Sequence, residues 1–182
     1  MASVGARPQS SAFSRLSRHF QALPTPQTIN PFHVHRPALA TQQSRDRPAA
    51  SRVVVLLHGW EGSSESLYIL SLGQALWERG FEVVRLNLRD HGDSHHLNPE
   101  IFHSCRIREV VGAVQRLQQL EPAQAVNLVG FSLGGNFCLR VGARAAEAGL
   151  RLEQVVAVCP VIDPEHTLVR LERGWALYRQ YF

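Results

Sequence analysis

The chain of 182 residues contains no lysine, a single methionine and only three cysteines. The number of cysteines is odd, their spacing is wide, and no two of them form a CxxC pair: Cys105, Cys138 and Cys159. This pattern argues against a disulfide framework and against a zinc knuckle. We therefore expect free thiols, which are typical of proteins in a reducing compartment.

Long apolar stretches are also missing from the sequence. The longest run, Val53–Leu57, has the length of a strand, whereas a membrane-spanning helix needs about 20 apolar residues. The N-terminal stretch Met1–Leu23 is rich in serine and arginine and lacks the apolar core of a secretory signal. A transit peptide for an organelle is one interpretation of this stretch. We favour a loosely ordered arm on a cytoplasmic protein without a transmembrane segment.

The basic residues are all arginines, and they are unevenly distributed along the chain. Residues 1–52 hold seven of the 19 arginines and one acidic residue, Asp46, whereas the rest of the chain is slightly acidic. A basic leader can bind nucleic acid or an anionic membrane surface. No RNP-like, helix-turn-helix or zinc-finger pattern accompanies this charge. We therefore expect no nucleic-acid binding, and the sequence leaves the oligomeric state open.

Two regions of different composition divide the chain. Residues 1–51 are basic and rich in proline, which cannot donate a backbone hydrogen bond and therefore excludes a long helix there. We predict an N-terminal arm over residues 1–51, with no recognisable strand in it, and a folded domain over residues 52–182.

Strand patterns alternate with helix patterns throughout the predicted domain. Such alternation favours a parallel sheet with helices on both faces, and a site at the carboxyl ends of the strands. Continuous apolar, β-branched runs predict strands at Val53–Leu57, Phe81–Leu86, Ala125–Val129 and Val155–Cys159. Apolar residues at spacings of three and four predict helices at Ser66–Arg79, Cys105–Gln119, Gly135–Ala148 and Glu165–Tyr181.

The sequence Gly130-Phe-Ser-Leu-Gly134 has the G-x-S-x-G pattern of a nucleophile elbow. In such an elbow the turn from strand to helix is so sharp that the serine has a positive φ angle, and bulkier residues at the two glycine positions would collide. The flanking strand and helix patterns are the context that this motif requires. We therefore predict that Ser132 is a nucleophile and that the Leu133 N–H, at the start of a helix, stabilises an oxyanion.

A second oxyanion donor belongs on the loop after an earlier strand. His58-Gly59-Trp60 is that loop here, so the backbone N–H of Trp60 is the predicted donor. We expect His58 to fix the loop by hydrogen bonding rather than to act as a base. The following Gly62-Ser-Ser64 lacks the lysine of a phosphate-binding loop, which argues against a nucleotide cofactor.

Four histidines lie in or near the loop after the second predicted strand: His91, His95, His96 and His103. A metal site needs three or four converging ligands, and the irregular spacing of these histidines has no recognisable ligand pattern. We expect them to pack and hydrogen-bond the loop, and we predict no metal.

Three segments together resemble the YheT-like family of the α/β-hydrolase superfamily: His58–Ser64 (HGWEGSS), Asn87–Asp93 (NLRDHGD) and Gly130–Asn136 (GFSLGGN). The resemblance implies an α/β-hydrolase sheet, mostly parallel and flanked by helices, here incomplete at its C-terminal edge. It also implies cofactor-free serine-hydrolase chemistry on carboxylic esters, of the esterase or acylglycerol lipase type, with small-molecule ester or lipid substrates. Ser132 matches the nucleophile, Trp60 and Leu133 the oxyanion donors, and Gly130 and Gly134 the elbow glycines.

The general base and its orienting acid are harder to find in the sequence. Ester hydrolysis by serine needs both groups, and in this superfamily the acid and then the histidine follow the nucleophile along the chain. Only His166 follows Ser132, and it falls at the start of a predicted helix, where Asp163 is better explained as an N-cap before Pro164.

We therefore expect the acid and the base to lie beyond Phe182 and this fragment to be inactive. The alternative is a non-catalytic remnant or binding module that retains the scaffold. Ester, thioester and amide substrates share the same chemistry, and the sequence leaves open which of them is used and how long the acyl chain is.

Overall fold

The computed structural model describes residues 34–35, 52–97, 99–120, 122 and 124–174. The rest of the predicted arm and the last part of the predicted C-terminal helix lie outside the described residues. The described strands are β1 Val34–His35, β2 Val53–Leu57, β3 Glu82–Leu86, β4 Val126–Phe131 and β5 Leu152–Val158. They form one sheet in the order β1-β3-β2-β4-β5. Neighbouring strands from β2 to β5 pair in parallel, which confirms the predicted architecture.

The central strand β2 is buried along its whole length, because helices cover both faces of the sheet. Successive side chains of a strand point to opposite faces. Val53, Val55 and Leu57 therefore enter one core, and Val54 and Leu56 enter the other. This two-sided burial explains why an uninterrupted apolar run, rather than an alternating one, predicts the strand with its observed bounds.

The described residues form four α-helices: α1 Leu67–Glu78, α2 Ile107–Leu120, α3 Leu133–Ala143 and α4 Pro164–Glu172. Residues of α2 and α3 pack in the larger core, whereas Ile69 and Trp77 of α1 pack in the smaller core on the opposite face. α1 ends before Gly80, whose φ of 94° is a left-handed conformation that glycine commonly adopts after a helix C-terminus. In the described part of the chain, no helix is long and apolar enough to cross a membrane.

Some element bounds differ from the sequence prediction. α3 begins two residues earlier than predicted, at Leu133, because the turn after β4 has no residue between Ser132 and the helix. The helix ends at Ala143 rather than at Ala148, and residues 144–149 turn so that Leu150 can return to the core. β5 runs from Leu152, earlier than predicted, and ends before Cys159, whose φ of 45° is incompatible with a strand.

One strand lies where the sequence analysis predicted none. Val34–His35 forms β1, which pairs antiparallel with Leu86 and Arg85 of β3. Among the described residues, β1 is the neighbour of β3 on the side away from β2, and the edge of a sheet readily accepts a further strand. Two residues are too few to produce a detectable alternation, so the pairing comes from the edge rather than from a local pattern.

The opposite end of the described sheet is more exposed. β5 is the last strand in the sheet order, and its Val156 and Val158 are 44% and 37% exposed. α4 follows β5 and contributes no buried residue. The apolar side chains at this end therefore contrast with the enclosed β2, and the observed sheet agrees with the prediction of a fold incomplete at this edge.

A buried ion pair joins the loop after β3 to α2. The Arg89 Nε donates to both carboxylate oxygens of Glu109, at 2.9 and 3.1 Å, and its Nη2 donates at 2.6 Å. The two side chains are 8% and 10% exposed. Arg106 of the same region donates to Glu109 as well, at 3.0 Å. A buried charge is tolerated only when it is paired, so moving Arg89 away from Glu109 would leave both charges without this partner. The bidentate pair therefore fixes the loop after β3 against α2.

We predict that Arg89→Met destabilises the fold by about 2 kcal/mol, because Glu109 loses its bidentate partner and keeps only the single bond from Arg106 while staying buried. The double variant Arg89→Met/Glu109→Met should recover most of this loss, since it removes both charges. Unfolding in urea, followed by circular dichroism, measures each free energy. The control is Arg79→Met, whose exposed guanidinium bonds a helix carbonyl; equal effects of Arg79→Met and Arg89→Met would contradict the prediction.

Candidate active site

Ser132 occupies the turn between β4 and α3 in a strained backbone conformation. Its φ is 50° and its ψ is −114°, although a residue with a side chain strongly prefers negative φ. Strain of this kind costs about 1–3 kcal/mol and persists only where the surroundings hold it. The predicted positive φ is therefore confirmed, and the serine is only partly buried at the carboxyl edge of the sheet.

The two elbow glycines permit this turn because no side chain fits at either position. A Cβ on Gly130 would lie 2.7 Å from the Cys138 Sγ and still closer to the Gly134 backbone. A Cβ on Gly134 would lie 2.6 Å from the carbonyl oxygen of Leu57. These neighbours are mostly backbone atoms, which cannot move aside without displacing β2 or α3. The structure thus gives a steric reason for both predicted glycines.

Backbone hydrogen bonds clamp Ser132 from the side of β5. Its N–H donates to the Val158 carbonyl at 2.9 Å, and its carbonyl accepts from Asn136 at 3.0 Å and from Val161 at 3.3 Å. The Asn136 side chain donates in turn to the Val161 carbonyl at 2.7 Å. Asn136 is thus part of the support for the elbow, a role that the sequence analysis did not assign. Its position within the GFSLGGN string was the only available signal.

The loop after β2 lies directly against the elbow. A Cβ on Gly59 would be 3.3 Å from the Ser132 Cβ and 3.5 Å from the Phe131 carbonyl oxygen. Trp60 follows at once and is 45% exposed. On the other side, Leu133 opens α3, where the first N–H groups have no acceptor within the helix. The structure therefore brings the loop of Trp60 and the helix start at Leu133 to the same serine.

His58 is buried and connects two loops through its ring. The Leu88 N–H donates to the His58 Nε2 at 3.1 Å. The proton of the neutral ring then lies on Nδ1, which is 2.7 Å from the Gly59 carbonyl oxygen. Burial lowers the pKa of His58 from 6.5 to about 4; the bond to Gly59 opposes this shift, and the nearby His91 adds to it. With both nitrogens engaged, His58 fixes the loop, as the sequence predicts.

Two polar residues at the end of β3 hold the glycine- and serine-rich part of the same loop. The Ser64 N–H donates to the Asn87 Oδ1 at 2.6 Å, and the Arg85 Nη1 donates to the Ser64 carbonyl at 2.6 Å. Arg85 also reaches the Glu65 carboxylate, at 2.9 Å. These supports could not be predicted from the sequence, because contacts between residues about 20 positions apart leave no periodic signal.

The histidine-rich loop is organised by hydrogen bonds rather than around one centre. The His91 ring is buried, with its Nδ1 2.7 Å from the Arg89 carbonyl oxygen. His95 bonds Asp90 at 2.7 Å, and this bond lowers the pKa of the Asp90 carboxyl. His96 and His103 are exposed. Among the described residues, no three His, Cys, Asp or Glu side chains are grouped closely enough to hold a metal ion.

Asp163 and His166 take the positions that the sequence predicts for a helix start. Asp163 is the N-cap of α4, and its Oδ1 accepts the His166 N–H at 2.9 Å. Pro164 follows as the first helical residue. The carboxylate of Asp163 is therefore engaged in capping, and the His166 side chain is exposed on the helix.

We predict that Gly134→Ala destabilises the protein by about 3 kcal/mol or more, because the new Cβ must displace backbone at the elbow. The matched control is Gly112→Ala on α2, where a Cβ meets nothing within 4 Å. That change should be neutral or stabilise the helix by up to about 1 kcal/mol. Thermal and urea unfolding compare the two, and similar behaviour of both variants would refute the steric argument.

His58 should make the stability of the protein depend on pH. Its pKa is lowered in the folded state, so the unfolded chain binds the proton more readily and stability is lost as the pH falls through about 6.5 toward about 4. Between about pH 7 and pH 5 the wild type should lose about 2 kcal/mol more than His58→Gln, which cannot titrate. Parallel pH profiles of the two unfolding free energies would show that His58 is not the titrating group.

Solved structures of other proteins share the fold of this chain at low sequence identity. None of the curated protein sequences compared with the chain matches it. Solved structures do match, including an esterase from Pyrococcus furiosus, Pf2001, at 21% identity and a TM-score of 0.58, over 73% of this chain and 51% of that one. The Butyrivibrio proteoclasticus protein Est1E, solved with ferulic acid, matches at 17% identity and a TM-score of 0.58, over 80% and 53% of the two chains.

A further structural match is an alpha-beta serine hydrolase homologue from Coxiella burnetii, at 17% identity and a TM-score of 0.53, over 75% of this chain and 60% of that one. At such identities the likeness shows the fold alone. The chain spans about half the length of the Pyrococcus and Butyrivibrio proteins. The family model described as the alpha/beta hydrolase fold matches residues 52–182. The protein therefore belongs to the α/β-hydrolase family.

Proposed function

We propose that the protein is a serine hydrolase acting on carboxylic esters and that Ser132 is its nucleophile. The observation that carries the proposal is the position of this serine. It is held at a φ of 50° between the start of α3 and the loop of Gly59 and Trp60. Backbone strain of this kind is concentrated at functional sites. The turn holds the side chain of Ser132 at the carboxyl edge of the sheet, where α/β proteins bind their ligands.

The proposed reaction proceeds in two steps. Ser132 Oγ attacks the ester carbonyl carbon, its proton passes to a general base, and the carbonyl oxygen becomes an oxyanion. The N–H groups of Trp60 and Leu133 donate to this oxyanion, while the base returns the proton to the departing alcohol. Water, activated by the same base, then attacks the acyl-serine and releases the acid. The reaction needs no cofactor.

The start of α3 favours the negative charge that develops on the carbonyl oxygen in this reaction. The N-terminus of a helix carries a partial positive charge, to which its unpaired N–H groups contribute. Leu133 is the first residue of this 11-residue helix. A donor that is fixed before the reaction begins does not have to reorient as the charge appears. This preorganisation is the main source of oxyanion stabilisation.

In this proposal the base and its acid are supplied by residues outside the described ranges. His58 is unsuited to the task because its ring bonds the Leu88 N–H and faces the Gly59 carbonyl. The described histidine that follows Ser132 is His166, whose side chain is exposed on α4 behind the cap of Asp163. The family order of serine, acid and histidine agrees with a later position for both groups.

The substrate class rests on similarity and on the character of the site. The Pyrococcus protein is named an esterase, and the Butyrivibrio protein was solved with ferulic acid. The three segments that resemble YheT-like hydrolases point to the same chemistry and to small ester or acylglycerol substrates. Trp60 lies on the loop that approaches Ser132, and its half-exposed indole would offer an apolar wall for the acyl group.

Labelling with a fluorophosphonate, combined with hydrolysis of p-nitrophenyl butyrate, tests the nucleophile. The full-length protein should be labelled, and Ser132→Ala should abolish labelling and lower kcat by a factor of about 10⁴ or more. The control is Ser71→Ala, an exposed serine on α1 that should leave both readouts unchanged. Equal labelling of Ser132→Ala would show that the nucleophile is wrong. No labelling of the wild type would favour the alternative, a non-catalytic scaffold or binding module.

A further inference from the structure

Tyr68 connects both halves of the site, although no motif points to it. It lies in the first turn of α1 and is 40% exposed. Its hydroxyl oxygen accepts the Gly59 N–H at 3.0 Å. Its ring packs against Phe131, the residue before Ser132, with ring centroids 4.8 Å apart. One side chain thus contacts the predicted oxyanion loop and the strand end that carries the serine.

Gly59 is the residue whose backbone decides where the Trp60 N–H points. The Gly59 carbonyl and the Trp60 N–H belong to one planar trans peptide, so they point in opposite directions. That carbonyl accepts the Gly62 N–H at 3.1 Å and faces the His58 Nδ1 at 2.7 Å. The other peptide plane of Gly59, which joins it to His58, contains the Gly59 N–H, and this N–H donates to the Tyr68 hydroxyl. Both planes around the Gly59 Cα are therefore anchored.

This anchoring matters because glycine does not hold a conformation by itself. A glycine backbone reaches more conformations than any other residue, and ordering it costs correspondingly more. The loop approaches the elbow so closely that a Cβ on Gly59 would be 3.3 Å from the Ser132 Cβ. A small rotation at Gly59 would therefore move the Trp60 N–H relative to the oxygen that it is to stabilise, and catalysis is sensitive to such displacements.

We propose that Tyr68 is a positioning residue for the oxyanion loop: its hydroxyl holds the Gly59 N–H and thereby aims the Trp60 N–H at the reacting carbonyl. This inference rests on the proposed function. Tyr68 does not itself touch the reacting atoms in this account. Its ring maintains the distance between α1 and the elbow, and its hydroxyl sets the orientation of the loop.

The variant Tyr68→Phe separates these two contributions, because it keeps the ring against Phe131 and removes the hydroxyl alone. With p-nitrophenyl butyrate, we expect kcat to fall about 10-fold or more while KM changes less than about 2-fold, since the loss appears in the transition state. The rate of fluorophosphonate labelling should fall in parallel. Hydrogen exchange at the Gly59 amide should accelerate, because that amide loses its acceptor.

Ser66→Ala is the matched control. The Ser66 Oγ accepts the Ser63 N–H at 2.9 Å, so this variant also removes a side-chain acceptor from a backbone N–H of the same loop. It should lower the unfolding temperature about as much as Tyr68→Phe, yet leave kcat within about 2-fold of the wild type.

The outcomes separate this inference from the proposed function. If Ser132→Ala abolishes labelling while Tyr68→Phe keeps the wild-type kcat, Ser132 remains the nucleophile and the role of Tyr68 is wrong. Equal losses of kcat in Tyr68→Phe and Ser66→Ala would reduce Tyr68 to general loop stability and also overturn the inference. If the wild type is neither labelled nor active, the proposed function fails, and the positioning role fails with it.

Discussion

One close approach of backbones, between the first turn of α3 and the end of β2, determines the geometry of the elbow. A Cβ at Gly134 would lie 2.6 Å from the Leu57 carbonyl oxygen and closer still to that of His58. Because glycine leaves this space empty, α3 can start immediately above the central strand. Ser132 must then turn the chain within one residue, and its φ of 50° is the result. The position of Ser132 and its backbone strain therefore follow from the packing of β2, β4 and α3.

Polar side chains around this turn hold neighbouring loops by hydrogen bonds. His58 joins the loop after β2 to the loop after β3 through the Leu88 N–H. Asn87 holds Ser64 across the same gap, and Asn136 holds Val161 after β5. Each bond satisfies a backbone group at a site where loops meet and regular secondary structure is absent. In the proposed reaction, loops held in this way would keep the Trp60 and Leu133 N–H groups in place before a substrate binds, as oxyanion stabilisation requires.

Local patterns predicted the features of this fold that depend on local causes. Val53–Leu57 is uninterrupted and apolar because both faces of β2 are covered, so its bounds could be read from the sequence. The elbow could be predicted because steric exclusion demands glycine at both ends of the motif. The extent of the N-terminal arm and the YheT-like affiliation stay predictions.

Features that depend on distant contacts were not predicted. The Tyr68 hydroxyl accepts the Gly59 N–H, and the spacing of these two residues in the sequence does not indicate this hydrogen bond. β1 exists because the edge of β3 accepts a partner, which two residues of sequence cannot reveal. α3 stops short of Ala148 because Leu150 has a place in the core, a demand of tertiary packing that overrides the helical pattern.

A crystal structure of the full-length protein after reaction with a fluorophosphonate would test the proposed nucleophile and oxyanion hole together. We expect a covalent bond from Ser132 Oγ to phosphorus. We also expect the phosphonyl oxygen to lie about 2.7–3.1 Å from the backbone nitrogens of both Trp60 and Leu133. Phosphorus on a different residue would contradict the assignment of the nucleophile. A phosphonyl oxygen directed to solvent, away from both nitrogens, would contradict the assignment of the oxyanion hole.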